Sequence, residues 1–313
     1  MDPTTLYTGT SGLNTVLDPQ RLSQGSDNDP GMIELAVAVN VSIDDRGMVS
    51  LRKGSALAQL GEFHSLFCDG GDCFVIQERV SDAALMRVAA DLSISEVWSG
   101  LTKNCRMSFT QVNYDTFYSN GQGNGYIRSG VSAAWPVGVY QGPDTNLHFS
   151  PAPVGNIVAF KPGGLMLIAV GPVLWINYAP FAFGLYNLRS GFVQFGSDIT
   201  MICPVFSGVF VSDSERTWFL RGESWFDFVQ EPVADCPALK WSLATEKVRV
   251  RDMGDMGVEM PGFGRVWAST EGVCVGMDDG TMINLTKEKI NYPGGHDTGA
   301  CLITDTHIIH TTP

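Results

Sequence analysis

From about His64 to the last residue the chain alternates short apolar-rich runs with Gly, Asp, Ser and Asn turns, and the runs fall into groups of four. The groups restart at intervals of roughly 40 to 60 residues, the mark of stacked or radial β repeats. The first group predicts strands at 64–68, 73–77, 84–88 and 94–99, and the second at 107–112, 116–119, 125–128 and 131–135. The third predicts 156–160, 165–170, 173–176 and 191–195. The fourth is the cleanest, at 201–206, 209–212, 217–221 and 224–229. A fifth runs over 265–268, 272–277, 281–285 and 289–292, after which two strands remain, 300–304 and 307–311.

Upstream the pattern is different. Residues 1–31 are mostly polar, and 23–31 show no apolar period, which predicts an extended arm. The run from Ile33 to Ile43 then leads through Asp44-Asp45-Arg46-Gly47 into Met48–Leu51, a hairpin signal. Two N-terminal and two C-terminal strands make four. The expected fold is therefore all-β, a β-propeller of about six four-stranded blades over 32–313, its last blade closed by N- and C-terminal strands so that the ring has no edges. Two consecutive sandwiches or a β-solenoid are the alternatives. The segments near 137–154 and 231–261, rich in Pro, Gly and charge, are expected to project as loops.

Composition agrees with a folded, turn-rich chain. Of 313 residues, 35 are Gly and 16 Pro, while only 17% are charged, which argues against disorder for the bulk. The longest apolar stretch, Leu165 to Leu185, is broken by Gly171, Pro172, Asn177, Pro180 and Gly184 and reads as hairpins rather than a membrane span. The start Met1-Asp2-Pro3-Thr4-Thr5 lacks a secretory pattern, so folding in a cytoplasm is expected. Seven cysteines are scattered without C-x-x-C spacing. Cys68 and Cys73 bracket a turn and can face each other across a hairpin. Two free thiols are nonetheless the expectation, because cytosolic thiols stay reduced. With 33 acidic against 20 basic residues the formal charge is −13, and no basic run exceeds Arg52-Lys53, which disfavours a surface that grips nucleic acid.

No catalytic motif stands out. Ser212-Asp213-Ser214-Glu215-Arg216-Thr217-Trp218 partly resembles the Asp-box turn of sialidase-type propellers, with Ser214 at the defining Asp position; that turn is structural. A glycosidase needs two carboxylates converging on a pocket, and the acids at 44, 45, 69, 72, 278 and 279 sit in turns that explain them. The five histidines, His64, His148, His296, His307 and His310, are dispersed and read as structural. Calcium is the most plausible metal class, but Asp27-Asn28-Asp29 and Asp252-Met253-Gly254-Asp255 are incomplete loops, and no cofactor is expected. Gly121-Gln122-Gly123-Asn124-Gly125 is a hairpin turn rather than a phosphate cradle. The seven tryptophans suit packing between blades, with Trp225 and Phe226 as candidate interface anchors.

Two stretches resemble tailed-phage virion proteins. Gly12-Leu13-Asn14-Thr15, Asp18-Pro19-Gln20-Arg21-Leu22 and Ala38-Val39-Asn40-Val41-Ser42-Ile43-Asp44-Asp45-Arg46-Gly47-Met48-Val49-Ser50-Leu51-Arg52-Lys53-Gly54 look like the start of such structural proteins, where a hairpin of this form precedes a β-propeller. Arg106-Met107-Ser108-Phe109, Val112-Asn113 and Phe117-Tyr118-Ser119-Asn120-Gly121 are similar to their blade motif. The architecture is similar to the tail accessory or nozzle proteins of short-tailed phages, also called packaged-DNA stabilisation proteins, which are typically longer. The resemblance implies a non-enzymatic virion component of the tail or head-to-tail junction, assembled in the host cytoplasm. It implies a ring of copies that conducts or retains DNA and contacts portal or tail proteins, with no membrane. An acidic lumen suits a conduit through which DNA passes without sticking. The arm, through Asp18, Arg21 and Leu22, is the candidate for ordering on a neighbouring subunit. The alternative is a propeller that binds or cleaves host-surface glycans.

Overall fold

The computed structural model describes residues 10–18, 22, 33–39, 41–43, 48–51, 56–69, 71–144, 147–223, 226–244, 247–249, 263–287, 289–291, 295–303 and 308–311. Near the N-terminus β1 (Thr10–Leu13) runs parallel to β2 (Ile33–Leu35), and β3 (Val41–Ile43) forms a hairpin with β4 (Val49–Leu51). The first four-stranded blade is β5 (Glu62–Asp69), β6 (Asp72–Glu78), β7 (Ala83–Val88) and β8 (Ile94–Leu101). The second is β9 (Ser108–Val112), β10 (Asp115–Ser119), β11 (Asn124–Arg128) and β12 (Val131–Ala134). A short strand, β13 (Phe149–Ser150), precedes the third, which is β14 (Ile157–Lys161), β15 (Leu165–Val170), β16 (Val173–Ile176) and β18 (Phe192–Gln194); β17 (Tyr186–Asn187) pairs with β13. The fourth is β19 (Met201–Pro204), β20 (Gly208–Ser212), β21 (Thr217–Arg221) and β22 (Val229–Ala234). The fifth is β23 (Lys247–Arg249), β24 (Phe263–Ser269), β25 (Gly272–Met277) and β26 (Met282–Asn284), followed by the hairpin of β27 (Ala300–Ile303) with β28 (Ile308–Thr311).

Side-chain alternation within strands explains how these sheets stack. Successive residues of a strand point to opposite faces, so a blade buried on both sides needs apolar residues throughout. In β15, Met166 and Ile168 join Val112 and Phe117 of the second blade, while Leu167 and Ala169 join Ile202, Val209 and Val211 of the fourth. In the fourth blade, Phe210 and Phe219 turn the other way, against Trp267 and Cys274 of the fifth. Phe74 and Leu85 of the first blade meet Tyr118 and Ile127 of the second. Each of these four clusters is thus shared by two neighbouring blades, and the core is a series of wedges around an axis. The fold is an all-β propeller.

The inner strands run side by side in one direction. Ser108 of β9 lies beside Val158 of β14, and Thr110 beside Phe160, at matching steps. All inner strands therefore begin at one end of the propeller, here the upper face, and finish at the other, the lower face.

The chain ends meet. The N–H of Thr15 donates to the carbonyl of Lys289 at 2.8 Å, the N–H of Asn291 donates to the Thr15 hydroxyl at 2.7 Å, and Glu34 lies 3.6 Å from the Lys289 ammonium. Among the described residues, β3–β4 and β27–β28 stand as two separate two-stranded ladders, and no strand pairing joins them into the expected four-stranded last blade.

Several details differ from the sequence reading. The last strand of the fourth blade starts at Val229, the final residue of the 224–229 run, and of the 289–292 run residues 289–291 form no strand while Tyr292 lies outside the described residues. Of the segment 231–261 expected to project, the described part supplies β22 and then the inner edge of the fifth blade, where Ala238 bridges to Ser269, Leu239 and Ala244 donate to Ala268 and Val266, and β23 follows; residues 250–261 lie outside the described residues. Near 137–154, Tyr140 packs its ring on Phe149 and Tyr178, so this segment folds against the third blade. Cys68 and Cys73 stand directly opposite in the β5–β6 register and are disulfide-bonded, contrary to the expectation of free thiols.

Candidate functional site

At the upper face three blades converge on a cavity of about 90 Å³. Its polar lining is Asn156 at the start of the third blade, Asp198 in the connection to the fourth, and Lys240 with Trp241 in the connection to the fifth. Trp241 has φ 69°, a strained conformation for a bulky residue, and Lys240 is fixed on both sides by backbone bonds to Asp297 and Gly299. Such a volume holds about three waters, at roughly 30 Å³ each. Pockets for small organic ligands begin at roughly 300 Å³. One acidic residue and one lysine are among its lining residues, which is not the carboxylate pair that glycoside cleavage requires.

The densest set of reactive groups lies in the first blade. Ser65 Oγ is 2.8 Å from His64 Nδ1, and His64 Nε2 is 2.9 Å from Glu78 Oε1. Ser65 sits on a bulge with φ 57°. A hydroxyl, an imidazole and a carboxylate in series are the parts of a nucleophilic relay. The surroundings assign them other work. The N–H of Met107 donates to Ser65 Oγ at 2.9 Å, and the N–H of Asn104 donates to Glu78 Oε1 at 2.8 Å. Both donors belong to the connection into the second blade, so the three side chains join two blades. Burial pushes the Glu78 carboxyl up, but the His64 and Asn104 hydrogen bonds and the nearby charges of His64 and Lys103 hold it below its ordinary value. The sequence reading missed this set because Glu78 reaches His64 only through the strand pairing of a bulged hairpin.

The partial Asp-box is resolved differently from its sequence alignment. Asp213, not residue 214, performs the pinning: Oδ1 accepts the N–H groups of Glu215 and Arg216, both at 2.9 Å, and Oδ2 accepts the indole N–H of Trp218 at 3.0 Å. Asn120 closes the equivalent turn of the second blade through the N–H groups of Gln122 and Gly123. These are Asx turns that fix hairpins.

Of the candidate interaction residues, Asp18 is exposed and Phe226 is 74% exposed. Leu22 is buried at 5% exposure, so it packs within its own chain instead of reaching a neighbour. Arg21 and Trp225 lie outside the described residues. Part of the arm is tied down as well: Asn14 is buried, accepts the N–H groups of Val16 and Leu17, and donates to Glu34. Among the described residues no three His, Cys, Asp or Glu side chains converge as metal ligands; the acids at 27–29 and 252–255 lie outside them.

No protein-family model matches the chain, and no curated protein matches it. Solved structures do. BBS1N, crystallised in complex with ARL6DN, is similar over 87% of this chain and 83% of that one, with 10% identity and a TM-score of 0.50. The Pan2 WD40 domain of Neurospora crassa covers 84% of this chain, and 81% of its own length is covered, at 10% identity and a TM-score of 0.44. A gluconolactonase of Xanthomonas campestris covers 73%, with 74% of its own length covered, at 11% identity and a TM-score of 0.42. At such identities the likeness is one of fold, the β-propeller.

Proposed function

We propose that this chain is a non-enzymatic structural component of a tailed-phage particle, placed in the tail or at the head-to-tail junction and repeated there as a ring. The observation that carries the reading is how its reactive side chains are used. Ser65, His64 and Glu78 join the first blade to the second, Asp213 closes a hairpin, and Ser119 is fully buried against Gly155. Groups engaged in this way stiffen a block and leave the loops for contacts. The N-terminal hairpin motif and the blade motif at 106–121 supply the phage likeness, and β3 and β4 are the paired strands within the first of them.

The net charge of −13 fits a partner of DNA that guides without gripping, since like charge keeps phosphates off the wall. Portal and tail proteins are the expected neighbours, and copies of the chain would close a ring through heterologous contacts. Interrupting the gene during phage propagation tests the reading. Particles that assemble incompletely, or lose their DNA, are expected, with cleavage of host glycans by the lysate unchanged. Normal infectious particles would overturn it.

A further inference from the structure

The two ends of the propeller carry different chemistry. Strand order fixes which turn lies at which end: the turn after an inner strand and the turn between the outer pair face down, and the turn between the middle strands faces up. The upward turns between middle strands are small or polar, as at Asn120–Gly123, Gly171–Pro172, Asp213–Arg216 and Thr270–Glu271; the large exposed apolar residues at this end are aliphatic, Val80 in the first blade and Val137 and Val139 in the connection from the second blade to the third.

At the lower face, three successive inner strands end beside an exposed aromatic ring. Tyr114, in the turn after β9, is 90% exposed. Phe181 is 57% exposed and is held against the turn after β14, where its N–H donates to Gly164. Phe206, in the turn after β19, is 74% exposed. Since β14 lies against both β9 and β19, the three rings stand at the lower ends of three neighbouring inner strands, and Phe226 follows in the next loop of the fourth blade.

Single exposed apolar residues are ordinary, but rings collected at one end and absent from the turns at the other are the pattern of a contact surface. The rings are also held in place. The Phe206 N–H donates to Asp278 Oδ1 at 3.0 Å, and the Phe206 carbonyl accepts the buried Lys161 ammonium at 3.3 Å. Phe181 has φ 61°, a conformation that persists only where its surroundings impose it. Side chains presented on a fixed backbone lose little entropy on binding.

Charge narrows the partner. Asp91, Asp115, Glu223, Asp227, Asp278 and Asp279 all lie at this end by strand order. Of the cations at this end, Arg128 pairs with Asp115, Arg221 pairs with Glu231 and Lys161 is buried; Arg87 and Arg189 are exposed there and are outnumbered by these acids. An acidic rim around aromatic anchors disfavours DNA, anionic lipid and the same face of a second copy, because each sets negative charge against negative charge. We propose that the lower face docks a different protein, one whose contact surface is apolar at its centre and rich in Lys and Arg at its rim. This goes beyond the virion reading and does not rest on it, since the argument uses only the two faces of this chain.

The test uses the full-length chain, a variant carrying Tyr114→Ser, Phe206→Ser and Phe226→Ser, and an upper-face control, Val80→Ser. All four side chains are largely exposed, so the variants keep their fold, which circular dichroism and thermal melts check. Fluorescence anisotropy follows a short amphipathic Leu–Lys peptide, its Leu–Glu counterpart and a short DNA duplex; flotation follows phosphatidylcholine and phosphatidylglycerol vesicles. The Leu–Lys peptide is expected to bind the unaltered chain, to weaken with salt, and to lose roughly tenfold or more in affinity with the triple variant, against less than about twofold with Val80→Ser. Equal binding by the triple variant, equal binding of the Leu–Glu peptide, preferred binding of DNA or vesicles, or self-association that the triple variant abolishes would each overturn the proposal.

Discussion

The hydroxyl of Ser119 donates to the carbonyl of Gly155 at 2.6 Å and accepts the N–H of the same residue at 3.2 Å. One side chain of the second blade thereby satisfies both backbone groups of a buried residue in the third. Ser108 does the same for Val158, and Ser242 for Ala268 within the fifth blade. Neighbouring inner strands in a propeller share no ladder, so their buried polar groups need such partners.

Replacing Ser119 with Ala removes both bonds at a site with no exposure. The expected loss is about 1–3 kcal/mol in chemical denaturation, since the buried Gly155 N–H is left unpaired while its carbonyl keeps the N–H of Gly121. A loss within error of zero would show that the joint contributes nothing.

Asp213 offers a graded test. Asp213→Ala removes the acceptor for two backbone N–H groups and the Trp218 indole, at an expected cost of about 3 kcal/mol. Asp213→Asn keeps one acceptor oxygen for the turn but sets an amide donor against the indole N–H, so it should fall between Ala and the unaltered chain. Melting temperatures in that order check the assignment; equal values for Asn and Asp would remove the indole from it.

Stability should depend on pH through Glu78. Burial alone would raise its pKa, but the His64 and Asn104 hydrogen bonds bring it below the ordinary 4.5. A carboxyl whose folded pKa is depressed contributes stability above its unfolded value, and that contribution disappears as pH falls through the folded one. The melting-temperature gap between the unaltered chain and Glu78→Gln should therefore be widest near neutrality and shrink below about pH 4.5. A gap that stays constant down to pH 3 would contradict this.

Cys68 and Cys73 are five positions apart, so their bond closes a small loop. Loop-closure arithmetic gives about 2 kcal/mol for it. A reductant should lower the melting temperature of the unaltered chain and leave the Cys68→Ser, Cys73→Ser double variant unmoved. Equal shifts in both would place the reductant's effect elsewhere.

Most blade strands are legible in the sequence, because strands such as Leu165–Val170 and Gly208–Ser212 lie between blades and must be apolar on both faces. The reading slips where that rule lapses. Val229–Ala234 is half exposed and contains Gln230, Glu231 and Pro232, so the more aromatic run before it drew the assignment. The inner edge from Ala238 to Arg249 is broken by the turn at Trp241, and no apolar period marks it. Partners across hairpins were out of reach for another reason. His64 with Glu78, and Asp213 with Trp218, meet through register and turn geometry, and a one-residue offset such as the Asp-box shift is enough to misplace the acting side chain. The candidate interaction residues were least legible: Leu22 sits in a polar stretch yet is buried, while Tyr114 and Phe206, inside strong blade patterns, are exposed at turns.

The most direct test of the structural, particle-borne role is quantitative mass spectrometry of gradient-purified phage particles produced with this chain and its neighbouring gene products. The account predicts the chain in the intact particle, at a fixed small ratio to the major capsid protein that persists through repeated banding. Its absence from banded particles, with the protein recovered only in the soluble lysate, would contradict the account.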